Sequence, residues 1–371
     1  MKNRLSKVRL GILGGGQLAR MMALRCHEMG IKPYILSSHP QDPAAQVTSD
    51  FVQGNPNTKR DIKNFLNKVD LAVFENEFID PTILHEASIA SDTPVHPQPK
   101  IMNLLQDRLN QKNLLKKYKI PTARFIEIDS SKQIKDLTSL FPKGFVLKKR
   151  HQGYDGYGTL IVKNIAKEDT AKEFIDKNPH LIAEELIPFK KELAIILVRN
   201  RKEQIVELPL VETYQEEACC LWVKGPCRHQ KKDSLVKKLK NMLNQISYDG
   251  VMAFELFETK QGLLVNEIAP RVHNSGHYSM DALSEDQFTL HIKAVLNMNI
   301  SPPKKLSGGF AMLNLLGQKT SSQWLPPAET TLHWYGKMQT RIGRKMGHLN
   351  SLNSTSTKAL TTLLDFKKKF L

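Results

Sequence analysis

Short apolar runs alternate with amphipathic segments over the first hundred residues. The apolar runs cover residues 8–13, 33–36 and 71–74, which is the length of buried strands. Between them, residues 17–29 and 59–68 carry apolar side chains at helical spacing. Strands that alternate with helices are typical of a parallel sheet with helical crossovers, so the pattern predicts an α/β domain over residues 1–100.

The pattern changes after a proline-rich stretch that ends at Pro99. One long helix is predicted over residues 101–119, and a mobile lid unit at about 121–199 follows it, with the glycine-rich loop HQGYDGYGT inside. The domain of residues 101–300 would include that lid, and residues 301–371 would form a small C-terminal domain. Strands are predicted after Pro99 at residues 145–149, 159–162, 193–198, 254–257 and 263–268.

The composition is that of a folded protein of two or three domains. The chain has 371 residues, of which 40% are hydrophobic and 25% are charged. No apolar run approaches the roughly 18 residues of a membrane helix, and the basic start leads into a glycine turn instead of a signal-peptide core. We therefore expect a cytoplasmic protein that makes no membrane contact.

The cysteines and the net charge bear on metal sites and on nucleic-acid partners. Cys26, Cys219, Cys220 and Cys227 form no CxxC pair, which favours reduced thiols without a metal site. The formal charge of +17 is spread over many segments. A nucleic-acid surface would need clustered cations, so we expect no nucleic-acid partner, whereas small polyanionic substrates suit a basic protein.

The stretch GILGGGQLAR at residues 11–20 nearly matches a dinucleotide-binding fingerprint. Gly14, Gly16 and Ala19 follow a strand and precede a helix, whose first amides can bind an anion. No acidic residue ends the second strand, however, where a nicotinamide cofactor would need one for its ribose. Three interpretations remain open: a dinucleotide site, a tight structural turn, or a cradle for a mononucleotide substrate.

Two glutamates mark the predicted hairpin of residues 254–268. Glu255 and Glu267 lie on either side of its turn, so they are expected to face each other across the two strands. Two close carboxylates favour a bound cation, and hard oxygen ligands suit Mg²⁺ carrying nucleotide phosphates. Asn266 and Asn274 are near enough in sequence to add an amide oxygen. The alternative is a pair of exposed acids on a solvated hairpin.

The segment NEIAPRVHNSGHY after the hairpin concentrates polar chemistry. Its Arg271 can stabilise charge on a transferring phosphoryl group, and His273 is a candidate for proton transfer. Lys148 alternates with apolar residues in the run Phe145-Val146-Leu147-Lys148, so its side chain is predicted to point toward the core. A buried ammonium needs an anionic partner, such as a phosphate. Glu184 and Glu192 flank a strand of the same region and can accept hydrogen bonds from a ribose. No P-loop sequence is present.

In order along the chain, GILGGGQL, QDRLNQK, FVLKKRHQGYDGYGT, IAEELIPFKKE, AFELF, VNEIAPRVHNSGHY, LNLLG, YGK and GRKMGH resemble one family. The resemblance is to the 5-(carboxyamino)imidazole ribonucleotide synthases of purine biosynthesis. It implies an α/β (α+β) fold of three ATP-grasp domains, the first of them Rossmann-like, and a homodimer. The implied cofactors are ATP and Mg²⁺, with Mn²⁺ as a substitute.

The resemblance also implies roles for individual residues. Glu255 and Glu267 would bind the metal, and Tyr154, Asp155, Arg271 and His273 would be catalytic. The substrate ribonucleotide would contact Gln17, Leu18, Glu75, Asn274, Ser275, Lys337, Arg344 and Lys345. ATP would contact Arg108, Lys148, Gly153, Tyr154, Asp155, Gly156, Tyr157, Gly158, Thr159, Glu184, Glu185, Leu186, Ile187, Glu192, Gln215, Asn266 and Glu267.

The implied reaction joins bicarbonate, activated by ATP as carboxyphosphate, to the amine of 5-aminoimidazole ribonucleotide. Three departures from the family pattern concern affinity more than reaction type: Tyr157 and Thr159 in the lid, Gln215 in place of a histidine, and Asn76 between Glu75 and Glu77. A formate-dependent phosphoribosylglycinamide formyltransferase, or another ATP-grasp ligase, is the alternative. A nicotinamide-dependent dehydrogenase and a nucleic-acid-binding protein are the alternatives from other classes.

Overall fold

The computed structural model of the chain describes residues 5–151, 158–163, 168–216, 219–318 and 325–370. Helices within these ranges are α1 (Gln17–Glu28), α2 (Lys59–Leu66), α3 (Pro81–Ser91), α4 (Pro99–Gln106), α5 (Arg108–Lys117), α6 (Ile134–Leu140), α7 (Glu168–Lys177), α8 (Lys232–Gln245), α9 (Ser279–Ala282), α10 (Gln287–Val295) and α11 (Ser356–Phe370).

The strands of the described ranges form three sheets. They are β1 (Arg9–Leu13), β2 (Lys32–Ser37), β3 (Phe51–Gln53), β4 (Leu71–Phe74), β5 (Val95–His96), β6 (Phe125–Ile128), β7 (Phe145–Lys149), β8 (Thr159–Val162), β9 (Leu181–Glu185), β10 (Lys191–Arg199), β11 (Ile205–Glu207), β12 (Val211–Glu216), β13 (Cys219–Gly225), β14 (Gly250–Thr259), β15 (Gly262–Ala269), β16 (Gly309–Leu316), β17 (Thr330–Trp334) and β18 (Lys345–Asn353).

The N-terminal sheet is parallel, which confirms the predicted α/β fold. Its strand order is β3-β2-β1-β4-β5, and every pair in it is parallel. Strand β4 is buried along its whole length, because helices cover both faces of such a sheet and the strand then reads as a continuous apolar run. The carboxyl ends of β1 and β4 lie side by side, so the glycine turn after β1 meets Glu75 after β4.

The lid sheet is small and antiparallel. Its strand order is β6-β9-β7-β8, and its core includes Phe145, Leu147 and Leu181. The strand predicted at residues 193–198 belongs elsewhere, since β10 pairs with β14 over nine residues in the large sheet. Residues Leu193–Val198 are buried on both faces of β10, which only a central position in a covered sheet provides. By sheet membership, the lid unit therefore ends near Glu185 and not near residue 199.

The large sheet contains nine of the described strands. Its order is β15-β14-β10-β12-β13-β16-β18-β17, with β11 paired to β10. Strands β16 to β18 come from the predicted small C-terminal domain, yet β16 pairs directly with β13. Helix α11 covers this end through Leu363 and Phe366. The C-terminal segment therefore extends the sheet that carries the Glu255–Glu267 hairpin.

The helix predicted over residues 101–119 is two helices. It breaks at Asp107, whose backbone is extended and whose side chain accepts a hydrogen bond from the amide of Leu109 at 2.8 Å. The Asp107 carboxylate also pairs with Arg150 at the end of β7, a contact that helical spacing cannot reveal. The break places Arg108 in a first turn that faces the hairpin.

Among the described residues, no helix is both long and apolar enough to cross a bilayer.

Candidate active site

The glycine turn holds one of the protein's own carboxylates. The amide of Gly16 donates to Oε2 of Glu75 at 2.6 Å. A Cβ at Gly16 would lie 2.0 Å from Oε1 of Glu75, and one at Gly15 would lie 2.3 Å from Oγ of Ser37. Gly14 has a φ of +113°, which disfavours other residues. The anion at the start of α1 is therefore Glu75, and Gln17 and Leu18 next to it line an open cleft.

We expect Gly16→Ala to lower the free energy of unfolding by about 1–3 kcal/mol, because the added methyl group overlaps a buried carboxylate. The Glu75→Ala change in the same chain removes the atoms that the methyl group meets. Urea unfolding of both single variants and of the double variant measures the coupling between the two positions. If the two effects simply add, Gly16 and Glu75 do not constrain each other as the geometry indicates.

Glu255 and Glu267 are cross-strand partners in the β14–β15 hairpin. Their pairing depends on a bulge: Leu256 pairs with Val265, so Asn266 is an extra residue in β15. If the register continued without this bulge, Glu255 would pair with Asn266 and Glu267 would point to the other face. Burial, followed by the charges of Glu267 and Glu192, raises the pKa of Glu255 to about 7. Two such carboxylates fit a divalent cation.

A lysine–glutamate cluster lies beside the hairpin. Glu184 is buried between two ammonium groups, with Nζ of Lys112 3.0 Å from Oε2 and Nζ of Lys148 3.2 Å from Oε1. Burial alone would raise the pKa of Glu184, but the two lysines offset this and lower it. Lys148 also donates to Oδ1 of Asn266 at 3.1 Å, and Arg108 donates to both Glu267 oxygens at 2.9 and 3.2 Å. Cations therefore surround the acidic pair on the side of the lid sheet.

Arg271 follows the hairpin in the chain and is held in place by Glu77. The guanidinium makes a two-pronged ion pair with the Glu77 carboxylate, and Nη1 donates to the Val272 carbonyl at 3.0 Å. Burial would raise the pKa of Glu77, but Arg271 more than offsets it and the pKa is lowered. Burial raises the pKa of Glu75 despite its bond to Gly16. The two acids thus differ: Glu77 orients Arg271, and Glu75 lines the cleft.

His273 is neutral and its proton position is determined by its neighbours. Burial, followed by Arg271 and Lys345, lowers the pKa of His273 to about 3. The amide of Ser275 donates to Nδ1 at 3.3 Å, so the neutral ring carries its proton on Nε2. That atom lies 3.6 Å from Oε1 of Glu255. His273 can therefore donate a hydrogen bond toward the hairpin carboxylates or toward an oxyanion between them.

A cleft of about 610 Å³ runs from Arg271 and His273 to a basic rim. Asn274 lines it, but its amide is paired both ways with Asn314, at 2.7 and 3.0 Å. Nζ of Lys337 donates to the Lys345 carbonyl at 2.6 Å, which ties the two sides of the rim together. The predicted substrate residues Gln17, Leu18, Glu75, Asn274, Lys337, Arg344 and Lys345 all line this one cleft, whereas Ser275 is buried and does not line it.

The remaining predicted residues lie around the lid and the large sheet. Gly153, Tyr154, Asp155, Gly156 and Tyr157 lie outside the described residues. Gly158 and Thr159 lead into β8, where Thr159 pairs with Lys148. Glu192 is half-buried on β10, and burial raises its pKa. Glu185 ends β9 and pairs with Arg124. The amide of Leu186 donates to the Gly144 carbonyl, and the carbonyl of Ile187 accepts from the Phe189 amide. Gln215 lies at a β12–β13 register shift.

Sequence reasoning missed several residues that complete the site. Lys112 reads as an ordinary solvent-facing lysine of a helix, yet its side chain is 3% exposed. Asn314 is buried within an apolar strand run, and a polar residue there is a signal that could have been used. Arg341 lines the basic rim and Gln287 is buried against His273, and no pattern in the sequence distinguishes either of them.

Comparisons with known proteins agree with this geometry. Three family models match successive parts of the chain: a ribonucleotide synthetase preATP-grasp domain at residues 7–106, an ATP-grasp domain at 113–288 and a phosphoribosylaminoimidazole carboxylase C-terminal domain at 311–362. These models confirm the predicted ATP-grasp fold. The third model falls on the strands that extend the large sheet.

Individual relatives match over nearly the whole chain. The N5-carboxyaminoimidazole ribonucleotide synthase of Synechococcus elongatus is 33% identical over 92% of this chain and 88% of its own length. The N5-carboxyaminoimidazole synthetase of Staphylococcus aureus, solved with ADP, superposes with a TM-score of 0.89 at 29% identity, covering 96% of each chain. The enzyme of Aspergillus clavatus, solved with ADP and 5-aminoimidazole ribonucleotide, gives 0.85 at 26% identity, covering 97% and 98%. The chain therefore belongs to the N5-carboxyaminoimidazole ribonucleotide synthase family.

Proposed function

We propose that this protein is an ATP-dependent ligase that carboxylates 5-aminoimidazole ribonucleotide in purine biosynthesis, with bicarbonate as the carbon source. The observation that carries the proposal is the position of the Glu255–Glu267 pair. Arg108 donates to Glu267 and Lys148 donates to the neighbouring Asn266, while His273, which lines the cleft together with Arg271 and the basic rim, lies 3.6 Å from Glu255. A nucleotide and a second anionic substrate can therefore meet at these carboxylates. The related enzyme solved with ADP and this ribonucleotide supports the assignment.

We assign the nucleotide to the face that the lid sheet covers. Lys148 and Arg108 both contact the hairpin and would meet the phosphates, while the end of β9 and the residues after it, Glu184 to Ile187, would hold the base. Glu192 and Gln215 lie on neighbouring strands, β10 and β12, and would contact the nucleotide there. In the structure, Lys148 forms an ion pair with Glu184 and donates a hydrogen bond to Asn266. A phosphate can replace these partners without leaving the ammonium unpaired.

The residues present fit Mg²⁺. Glu255 and Glu267 supply two carboxylates, and Asn266 lies between them with an amide oxygen. No group of three or more His, Cys, Asp or Glu residues suitable for a metal exists within the described part of the chain. That suits an ion that keeps several waters and takes its other ligands from phosphates. When bound, Mg²⁺ would neutralise charge on the β- and γ-phosphates.

The proposed reaction proceeds in two stages. A bicarbonate oxygen attacks the γ-phosphorus of ATP, ADP leaves, and carboxyphosphate forms. Carboxyphosphate breaks down to carbon dioxide and phosphate, and the exocyclic amine of the ribonucleotide attacks the carbon and loses a proton to give the carboxyamino product. Arg271 would neutralise the charge of the bicarbonate and of the intermediate, and His273 would donate from Nε2 to a developing oxyanion. Tyr154 and Asp155 remain expected at the reacting carbon.

The function is tested by a coupled assay of ADP release. We expect turnover to require ATP, bicarbonate and 5-aminoimidazole ribonucleotide together. A formate-dependent formyltransferase would instead release ADP with formate and glycinamide ribonucleotide. ADP release that is unchanged when the ribonucleotide is omitted would contradict the substrate assignment, whereas turnover with formate but not with bicarbonate would favour the alternative.

The affinity for Mg²⁺ is expected to depend on pH through Glu255. Its raised pKa of about 7 means that the metal-free carboxyl group is neutral below that pH and must lose its proton to bind a cation. The affinity for Mg²⁺ in the presence of ADP should therefore rise between about pH 6 and about pH 8 and then level off. Calorimetry in buffers of different ionisation enthalpy measures the released proton. Glu255→Gln should abolish that release, and an equally large release from this variant would contradict the assignment.

We further propose that the protein works as a homodimer in the cytoplasm, as its family resemblance implies. Light scattering after size-exclusion chromatography should then give twice the chain mass of 42.2 kDa. A mass of one chain at micromolar concentration would contradict the dimer and leave the reaction assignment untouched.

A further inference from the structure

A second histidine, His277, lies on the floor of the substrate cleft and has no role in the reaction described so far. It comes four residues after His273 in the same polar loop and lines the cleft that Arg271 and Lys345 also line. The residue is only 1% exposed. The question for such a side chain is which of its ring nitrogens faces the substrate, and whether that nitrogen carries a proton.

The orientation of the Gln287 side-chain amide is fixed by the backbone of His273. Oε1 accepts from the amide of His273 at 2.8 Å, and Nε2 donates to the carbonyl of the same residue at 2.8 Å. If the amide were flipped, its NH₂ group would face the N–H of His273 and its oxygen would face the carbonyl of His273, so neither hydrogen bond could form. The Gln287 side chain is completely buried, and Oγ of Ser279 accepts from its backbone amide at 3.0 Å. The amide therefore has one orientation.

The same amide then determines the tautomer of His277. Nε2 of Gln287 lies 3.0 Å from Nδ1 of His277. Since Nε2 of Gln287 is a donor, Nδ1 must be the acceptor, and the neutral imidazole carries its proton on Nε2. Burial, followed among the charged neighbours by Lys345 and Arg271, lowers the pKa of His277, so the neutral form persists. His277 thus presents an N–H group and no lone pair on its second nitrogen.

The imidazole ring is also held in position. The Phe288 ring lies 5.6 Å away and the His348 ring 5.0 Å away, measured between centroids, and both are tilted against it. The amide of Asn350 donates to the His277 carbonyl at 3.1 Å, which anchors the backbone from β18. Among the described residues, no group hydrogen-bonds to Nε2 of His277. The ring therefore carries a fixed donor without a protein partner, on a residue that lines the cleft.

We propose that His277 donates a hydrogen bond from Nε2 to an uncharged acceptor of the bound ribonucleotide, on its ribose or its imidazole ring, and that Gln287 is the positioning residue that sets this tautomer. The inference rests on the proposed function for the identity of the ligand. Lys337, Arg344 and Lys345 line the same cleft and would bind the phosphate of the substrate more strongly than a neutral imidazole, because their hydrogen bonds to it would be charge-assisted. A neutral donor in the same cleft suits an uncharged part of the substrate instead.

The tautomer is tested directly by nitrogen NMR of the histidine-labelled full chain, with the His277→Phe variant to assign the signal. We expect an unprotonated Nδ1 and a protonated Nε2 in the ligand-free protein, and a shift of the Nε2 signal on adding 5-aminoimidazole ribonucleotide. A proton on Nδ1 would overturn the proposal. So would a signal that the ribonucleotide leaves in place, or one that inorganic phosphate alone moves to the same extent.

Kinetics give a second, independent test. His277→Phe should raise the KM for the ribonucleotide about tenfold, the usual cost of one hydrogen bond, with a smaller effect on kcat and on the KM for ATP. Gln287→Glu should have the same effect, because a carboxylate draws the proton to Nδ1. His85→Phe, on the exposed face of α3, is the matched control. An unchanged KM in both site variants would overturn the proposal.

The two levels of inference fail differently. If the wild-type protein neither binds nor turns over the ribonucleotide, the proposed function is wrong, and the NMR tautomer of His277 still stands as measured. If the wild-type protein turns over the ribonucleotide but Nδ1 carries the proton, only the proposal for His277 fails. Thermal unfolding of each variant separates loss of folding from loss of binding, and the wild-type NMR experiment needs no variant to fold except for assignment.

Discussion

Replacing Glu267 by glutamine is expected to reduce ATP turnover by at least about a hundredfold, the largest effect of any substitution considered. The change removes a negative charge from the proposed cation site and weakens the contact with Arg108, whose Nη2 lies 2.9 and 3.2 Å from the two Glu267 oxygens. Glutamine keeps the size of the side chain and the β14–β15 pairing. The loss should therefore appear in kcat and in the Mg²⁺ concentration required, while the thermal unfolding midpoint stays close to that of the wild type.

The matched control is Glu258→Gln in the same hairpin. Glu258 pairs with Leu263 and lies beyond the bulge, away from the cation site. Its replacement removes the same charge from the same two strands and should leave turnover near the wild-type level. Full activity of Glu267→Gln, or equal losses in the two variants, would show that the facing carboxylates do not bind the metal.

Arg271→Lys is expected to lower kcat by about a hundredfold while retaining the positive charge. The Arg271 guanidinium forms a fork with the Glu77 carboxylate and also donates to the Val272 carbonyl, so its position beside the hairpin is determined by three contacts. An ammonium group cannot make this fork, and its charge would shift away from the reacting oxyanion. Steady-state rates with saturating bicarbonate distinguish a slower chemical step from weaker binding.

A matched control exists on the N-terminal domain. Arg9 makes a comparable pair with Asp70, with Nε at 3.2 Å and Nη2 at 2.6 Å from Oδ1, but this pair is exposed and remote from the cleft. Arg9→Lys should leave kcat unchanged. Glu77→Gln should resemble Arg271→Lys, since it frees the guanidinium from its orienting partner. An active Arg271→Lys variant would mean that charge alone, without geometry, suffices at this position.

Much of the fold is predictable from local patterns. The run at β4 is apolar throughout, and that at β1 is apolar after the exposed Arg9, because their sheet is covered on both faces, and this pattern predicts a parallel sheet directly. Two predictions failed for a shared reason. The break at Asp107 and the membership of β10 in the large sheet both depend on contacts with residues far along the chain, Arg150 and the β14 strand. Helical or strand spacing contains no information about such partners.

The candidate site shows the same division. The facing of Glu255 and Glu267 was predicted from hairpin symmetry, but the pairing requires the extra residue Asn266, which the sequence pattern did not predict. The sequence left three interpretations of the glycine turn open, and in the structure the amide of Gly16 binds the carboxylate of Glu75. Glycines signal that something approaches the backbone closely, and only the assembled fold identifies what approaches.

By itself, the sequence determined the α/β class, the hairpin with its two acids, and the polar loop that carries Arg271, His273 and His277. It could do so because these features depend on neighbours within a few residues, where periodicity and side-chain type decide the structure. The tertiary structure alone decided which polar groups meet: Glu77 with Arg271, Glu184 with Lys112 and Lys148, and Gln287 with both histidines. Each of these partners is distant in sequence or hidden in an ordinary pattern, and the long-range packing of the sheets brings them together.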